Sequence, residues 1–481
     1  MLRRAAALLT SLTCVTVLGG GSSAAVVGAA PESLVEAGAQ AAGDPGIGDP
    51  YFPLDGNGGI DVLRYSVHDR YSFGRKRITG WTRLRIRATQ DLSSFNLDLL
   101  LDATSVRVEG RKARFHKPDP HELQIKPRRP IATGERFSVV VRYAGFPARL
   151  KYHGERNWLA NRREVLTMNE PHMAPWWYPA NDHPLDKAVH DFHITVPTGK
   201  RVVANGLPKG SRSHGRLVTW RWVAKDPMVP YLAFFAAGDF RVAQGRKDGL
   251  PWLLAVSKQL PGKDARVAMK WLEQTPALTS WLESELGPYP FESTGGIVTS
   301  LNPGFALENQ TRPTYPFVGG SSTWLLVHEL AHQWFGDSVA VKGWRDIWLN
   351  EGFATYLEVR YAETHRGPSA ASWLRRAYEQ HALGDSFWDL SIGDPGPRRL
   401  FDGAVYERGA MTLQALRNLI GGQTFATLLR AWAAQKADSN GSTEEFRALA
   451  EQLSGRDLGG FFDAWLVAET KPADTAANGL G

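Results

Sequence analysis

The sequence predicts an α+β multidomain chain, an N-terminal antiparallel β sandwich followed by a mainly helical domain. Three observations carry this. At 481 residues the chain is too long for one compact core and implies two or three domains at roughly 100–200 residues each. Hydrophobic residues at 43% and charged residues at 22% are globular proportions that exclude a disordered or fibrous chain. Apolar positions recur with the period of strands over about 51–240 and with the period of helices from about 265 onward.

In chain order, residues 1–30 read as a signal peptide. Arg3 and Arg4 precede a mostly apolar run over 5–18 and a small-residue zone, with cleavage expected after Ala24, Ala25 or Ala29. Residues 31–47 are expected to be a flexible N-terminal segment. The protein is thus expected to be secreted and extracellular. The apolar run is short for a membrane span and no later stretch is apolar enough, so no stable membrane insertion is expected. The single cysteine is Cys14, inside this segment. A mature chain without it has no disulfide, no catalytic thiolate and no cysteine-held metal. The formal charge of +7, two units of it from Arg3 and Arg4, is too small and dispersed to imply nucleic acid.

The β domain is placed at 48–248. Thr82, Leu84, Ile86 and Ala88 alternate with Trp81, Arg83, Arg85 and Arg87, the period of a half-buried strand. The β-branched run 137–143 follows the turn Ala132-Thr133-Gly134. Residues 193–197 and 201–206 are predicted as a strand pair joined by a Thr-Gly turn. His183, His190 and His193 cluster here, but His190 and His193 differ in strand parity, which favours structural or surface roles over a metal site.

The helical domain is placed at 249–470. Trp271, Leu272, Leu278, Trp281 and Leu282 mark one apolar face, ended by Gly287-Pro288. Further helices are predicted over 321–335, 347–365, 407–419 and 444–453. Residues 471–481, small and polar, are expected to form a flexible tail.

One predicted helix contains His328-Glu329-Leu330-Ala331-His332. Histidines at i and i+4 share a helix face, so both imidazoles can turn to one ion. Glu329 lies about 100° round the helix from His328, close enough to reach a metal-activated water without being a ligand. A catalytic zinc takes three protein ligands and keeps one position open. The next helix offers Glu351, nineteen positions after His332, in Asn350-Glu351-Gly352. Two histidines and one glutamate favour Zn2+ over cobalt or manganese.

The segments His-Glu-Leu-Ala-His-Gln-Trp-Phe-Gly at 328–336 and Trp-Leu-Asn-Glu-Gly-Phe-Ala at 348–354 resemble the gluzincin zinc aminopeptidases of the aminopeptidase N and leukotriene hydrolase family. The resemblance spans the mature chain. It implies a thermolysin-like catalytic domain after the β domain and one Zn2+ per chain on His328, His332 and Glu351, with Glu329 as the general base. It also implies peptide substrates with a free N-terminus, no nucleic-acid partner, and an undetermined oligomeric state. The sequence is expected to lack the large helical C-terminal domain of many members, which would leave the cleft more open.

Three further segments match. Ala306-Leu307-Glu308-Asn309 resembles the family's Gly-Ala-Met-Glu-Asn loop, which makes Glu308 the implied anchor for the substrate ammonium and places Ala306 along its backbone. Phe305 and Leu307 replace the family's glycine and methionine, so the cleft edge is expected to differ. Glu170, nine positions before Pro179, is implied as a second ammonium anchor, and Trp176, Trp177 and Tyr178 are candidates for the cleft entrance. Tyr406 in Val-Tyr-Glu-Arg-Gly-Ala is implied as the oxyanion donor, with Arg408 in place of lysine, a change expected to matter little if that residue only faces solvent. By residue type alone, Glu308 could instead serve a loop ion pair, Glu170 a helix cap and Tyr406 simple packing. An endopeptidase and a non-catalytic peptide-binding relative remain alternatives to an aminopeptidase.

Overall fold

A computed structural model describes residues 41–320 and 322–481. The expected signal peptide at 1–30, and the part of the expected flexible segment at 31–40, lie outside the described residues.

The N-terminal half is built on an eight-stranded sheet. Its order is Leu207–His214, Leu217–Met228, Ala188–Pro197, Ile60–Ser72, Arg77–Ala88, Arg136–Gly145, Asp102–Val108 and Arg111–Lys112. All neighbours are antiparallel except Ala188–Pro197 and Ile60–Ser72, which run parallel. In Arg77–Ala88 the predicted alternation holds. Thr82, Leu84 and Ile86 are buried while Arg83, Arg85 and Arg87 face solvent.

Two four-stranded sheets pack against this one. The first combines Ala41–Ala42, Leu92–Asp98, Glu122–Lys126 and Arg114–His116, and its Phe95 ring meets Phe137 of the large sheet at 5.3 Å. The second combines Trp158–Ala160, Val165–Thr167, Phe235–Gly238 and Arg201–Ala204. Trp177 bridges Phe235 and Phe192 of the large sheet, at 5.2 and 5.8 Å. This second sheet corrects the predicted strand pair. Ala188–Pro197 pairs with Leu217–Met228, whereas Arg201–Ala204 pairs with Phe235–Gly238. The Thr198-Gly199 turn carries the chain between layers, with Gly199 at φ +91°. Val202, Val203 and Ala204 are all buried, the mark of a strand covered on both faces.

The domain boundary also shifts. Phe240–Lys247 and Leu250–Ser257 form one antiparallel hairpin across the position 248/249. Thr294–Val298 and Thr314–Tyr315 extend it in parallel. The helical half therefore starts on a mixed sheet from Phe240. On it pack α1 (Gly262–Leu272) and α2 (Thr275–Leu286), the single apolar face predicted here being broken where Pro276 sits in the first turn of α2. Gly287, at φ +100°, ends α2.

Then follow α3 (Thr323–Ala331), α4 (Trp348–Thr364), α5 (Ala370–Gln380), α6 (Gly403–Ile420), α7 (Gly422–Gln435) and α8 (Thr443–Ser454). Helices α4, α6 and α8 fall close to their predicted spans. Helix α3 stops four residues early, and α5 and α7 are additions. Ser442 and Glu445 form a capping box at the start of α8.

Two features of this half could not be read from the sequence. Arg408 does not face solvent, so the condition for a neutral lysine replacement is not met. It is fully buried, and its guanidinium donates to the carbonyls of Trp388, Leu390, Ala464 and Ala468. A planar fork with five donors suits this junction of three segments. Residues 471–481 are not a loose tail. Tyr378 donates to the Pro472 carbonyl, Trp465 to Asn478 and Asn418 to Gly479, and Leu480 is 4% exposed. The small residues there permit close approach to α6, which the composition alone had suggested was fraying.

Helices α4 and α6 touch backbone to backbone at two glycines. A Cβ on Gly409 would lie 2.8 Å from the Gly352 Cα, and one on Gly352 2.9 Å from the Gly409 Cα. Gly409→Ala should therefore cost about 1–3 kcal/mol through overpacking, read as a lower midpoint of chemical denaturation. At an ordinary helix glycine the same change gains up to ~1 kcal/mol, so a raised midpoint would contradict this contact.

Candidate metal centre and substrate cleft

The α3–α4 pair brings the predicted metal ligands together. His328 lies in the last turn of α3 and His332 immediately follows the helix, while Glu351 lies in the first turn of α4. The Nε2 atoms of His328 and His332 are 3.4 and 3.5 Å from the same Glu351 Oε2. One ligand atom from each residue lies within 4.8 Å of the others. All three side chains are buried.

The other ring nitrogens are tied off, which fixes the tautomers. His328 Nδ1 donates to Glu358 Oε1 at 2.7 Å, and His332 Nδ1 donates to the Phe335 carbonyl at 3.0 Å. Each imidazole thus presents Nε2 inward, the arrangement that carboxylate- and carbonyl-backed metal histidines adopt. Burial would raise the Glu351 carboxyl, but His332 and His328 outweigh it and hold it down at about 2. Two imidazoles and an ionised carboxylate converging on one point fit Zn2+ with a position left open. Glu358 was missed by sequence reasoning, although its place seven residues after Glu351, on the same face of α4, was a usable signal.

A cavity of about 700 Å³ opens over this triad, lined by Glu170, Ala306, Glu308, Glu329 and Tyr406 among others. Every predicted site residue therefore meets there. Burial, reinforced by Glu308 and Glu351 and opposed by the two histidines, pushes the Glu329 carboxyl up to about 8. The Glu170 carboxyl is raised well above its ordinary range by burial and then by Glu308 and Glu351. Burial likewise raises Glu308. Four carboxyls (Glu170, Glu308, Glu329 and Glu351) crowd one low-dielectric space, which favours cationic occupants.

Each side chain is positioned from a different element. The Glu308 loop is fastened to α3 by Gln333 Nε2, which donates to the Glu308 carbonyl at 2.8 Å. Tyr231 donates to Glu308 Oε1 at 2.9 Å. Glu170 comes from the β half, and its buried Oε1 has no hydrogen-bond partner. Tyr406, in the first turn of α6, stacks at 6.0 Å and 16° on His328. Phe305, Val318, Trp324 and Phe401 give the cavity a part-exposed apolar wall.

Other candidates fall elsewhere. Trp176, Trp177 and Tyr178 are fully buried in the β half and do not line the cavity. His183 pairs with Asp49 at 3.2 Å, His190 packs between Tyr65 and Tyr178, and His193 pairs with Asp191 at 3.2 Å. They are structural histidines, as their parity suggested.

A mixed sheet backed by helices, with a two-histidine, one-glutamate triad beneath a cleft, defines a metallopeptidase-type site. Residues 320–465 match the Peptidase family M1 domain. Aminopeptidase M1-D of Oryza sativa subsp. japonica is 24% identical over 78% of this chain and 46% of its own length. Probable aminopeptidase 1 of Sulfurisphaera tokodaii is 26% identical over 86% of this chain and 54% of its own length. The chain thus spans about half the length of these relatives. Among solved structures, an M1 zinc metallopeptidase mutant from Deinococcus radiodurans, bound to a Tyr-Ser-Ala substrate, aligns with a TM-score of 0.79 and 26% identity, covering 89% of this chain and 100% of that one. Residues 320–465 thus carry the match to the M1 peptidase domain, and the chain as a whole is similar to M1 aminopeptidases and zinc metallopeptidases.

If Glu358 orients His328, Glu358→Gln should weaken zinc affinity roughly 10–100-fold, measured by competition against a chromogenic chelator. Affinity equal to that of the unmodified chain would remove Glu358 from this role.

Proposed function

We propose that the chain is a zinc aminopeptidase that hydrolyses the first peptide bond of peptides with a free N-terminus. One zinc per chain is held by His328, His332 and Glu351. The observation that carries this reading is the presence of two further carboxyls, Glu308 and Glu170, in the same cavity as the triad, one of them with an orphaned oxygen. A substrate ammonium supplies the donors and the positive charge that these groups lack. The match of residues 320–465 to the M1 peptidase domain and the aminopeptidase names of the relatives support it.

When bound, zinc supplies Lewis acidity, polarising the substrate carbonyl and lowering the pKa of water toward ~7. The residues of the chain do the rest. Glu308 and Glu170 hold the N-terminal ammonium and set the first peptide bond over the triad. Glu329 accepts a proton from the attacking water and delivers it to the departing amine. The Tyr406 hydroxyl donates to the oxygen on which negative charge develops. Burial and the surrounding carboxylates Glu351, Glu170 and Glu308 keep this phenol well above its ordinary pKa, so it stays a donor. The apolar wall of Phe305, Val318, Trp324 and Phe401 shields the reacting bond from water. Export to the extracellular space is part of this proposal and rests on the sequence of residues 1–30 alone.

Glu329→Gln should retain zinc and lose nearly all turnover. Tyr406→Phe should retain zinc and lower kcat by about 10²–10³. Steady-state kinetics beside metal analysis reads both, and a near-normal rate in either variant would take that residue out of its role. Glu308→Ala should impair free-amine substrates far more than N-blocked ones, and equal losses on the two would contradict the exopeptidase reading.

A further inference from the structure

Away from the cleft, three other metal-ligating side chains converge. Asp98, His121 and Glu122 each place a ligand atom within 4.8 Å of the others. Asp98 ends the strand Leu92–Asp98, and Glu122 opens Glu122–Lys126. The two are direct cross-strand partners in antiparallel register, so their carboxyls share one face. Like charges directly opposite each other destabilise a strand pair, and here all three side chains are at most 1% exposed.

Only Asp98 finds hydrogen-bond donors here, from Asn57 and the Asp182 backbone. His121 Nδ1 lies 3.7 Å from Asp98 Oδ1 and 3.4 Å from Glu122 Oε1. Even so, neither ring nitrogen and neither Glu122 oxygen has a hydrogen-bond partner. Lys117 commits its ammonium to the carbonyls of Leu99 and Leu101. His172 commits its ring to Asp55 at 2.6 Å and Glu155 at 3.3 Å. The neighbouring Asp182 adds another orphaned carboxylate oxygen, while its backbone N–H donates to Asp98 Oδ2 at 2.5 Å. Buried charged groups are normally hydrogen-bonded or coordinate a metal, and here His121 and Glu122 have no hydrogen-bond partner.

The donors are also held in place. The His121 ring stacks on Tyr152 at 4.2 Å and 7°, and Tyr152 is anchored by its hydroxyl to Asp55 Oδ1 at 3.2 Å. Asp98 Oδ1 accepts from Asn57 Nδ2 at 3.1 Å. Such fixing of ring and carboxylate by outer partners is characteristic of metal ligands.

We propose that Asp98, His121 and Glu122 form a second divalent-cation site, structural in role and separate from the cleft. Two carboxylate oxygens and one imidazole nitrogen suit a first-row cation such as Mn2+ or Zn2+, whereas Ca2+ takes an all-oxygen shell. Since the side chains are enclosed, the ion is acquired as the domain folds. It clamps Leu92–Asp98 to Glu122–Lys126. Through the paired Asp98–Ala180 backbone hydrogen bonds of 2.8 and 3.0 Å, it also braces the connection that carries Glu170 to the cleft.

The test uses the full chain carrying His328→Ala, His332→Ala and Glu351→Ala, which removes all three ligands of the cleft so that retained metal reports only the second site. After refolding in the presence of Mn2+ or Zn2+ alone and gel filtration, elemental analysis should find about one ion per chain, and the thermal midpoint should lie above that of the chain refolded without metal. Adding the near-isosteric Glu122→Gln should abolish both effects while circular dichroism stays native. Should that variant not fold, X-ray absorption on the metal-loaded chain with Asp98, His121 and Glu122 intact should show an oxygen-rich shell with one imidazole. A folded chain that retains no ion and shows no midpoint shift would overturn the proposal, as would an ion retained unchanged after Glu122→Gln. Neither result bears on the cleft zinc, whose ligands are absent throughout.

Discussion

The cleft depends on one electrostatic constraint: four carboxyls, Glu170, Glu308, Glu329 and Glu351, are packed around two imidazoles in one buried space. Such crowding is relieved by protonation or by cations. The fold supplies the geometry that makes this economical. Glu351 faces both Nε2 atoms, Glu358 and the Phe335 carbonyl fix the two rings, and one Glu170 oxygen remains without a hydrogen-bond partner. In the proposed function, metal binding and amine recognition are two halves of one charge balance.

That balance is held by contacts remote from the chemistry. The glycine-to-glycine contact between α4 and α6 sets how closely Glu351 and Tyr406 approach. Gln333, one residue after His332, binds the Glu308 carbonyl and also accepts from the Thr311 N–H, so one side chain registers the ammonium loop against the metal-binding helix. Arg408 draws the 388–390 loop and the 464–468 segment onto α6 behind Tyr406. Such supporting shells hold catalytic groups to fractions of an ångström.

Much of this was legible in the sequence. The i, i+4 histidines and the glutamate on the next helix are a local pattern with a single geometric outcome, so the triad could be read directly. Glu308, Glu170 and Tyr406 were readable only through resemblance, since nothing in their local sequence says that three distant segments meet. Strand pairing was harder. Val202, Val203 and Ala204 looked like the return arm of a hairpin, yet layer packing sends them to another sheet. The burial of Arg408 and the packing of the final eleven residues were illegible for a common reason. Charge and small polar composition suggest solvent exposure, and only tertiary context reveals four carbonyls waiting for a guanidinium or a groove that accepts small residues. The Asp98–His121–Glu122 cluster gave no sequence signal, because its members join across a sheet register.

The central claim is that metal and amine recognition act together in one cleft. The most direct measurement is release of a chromogenic amine from unblocked aminoacyl anilides by the zinc-loaded chain, with N-acetylated analogues and a zinc chelator as controls. Chelator-sensitive cleavage of the unblocked set alone is expected. Comparable cleavage of the acetylated analogues, or none of either by a zinc-loaded sample, would contradict it.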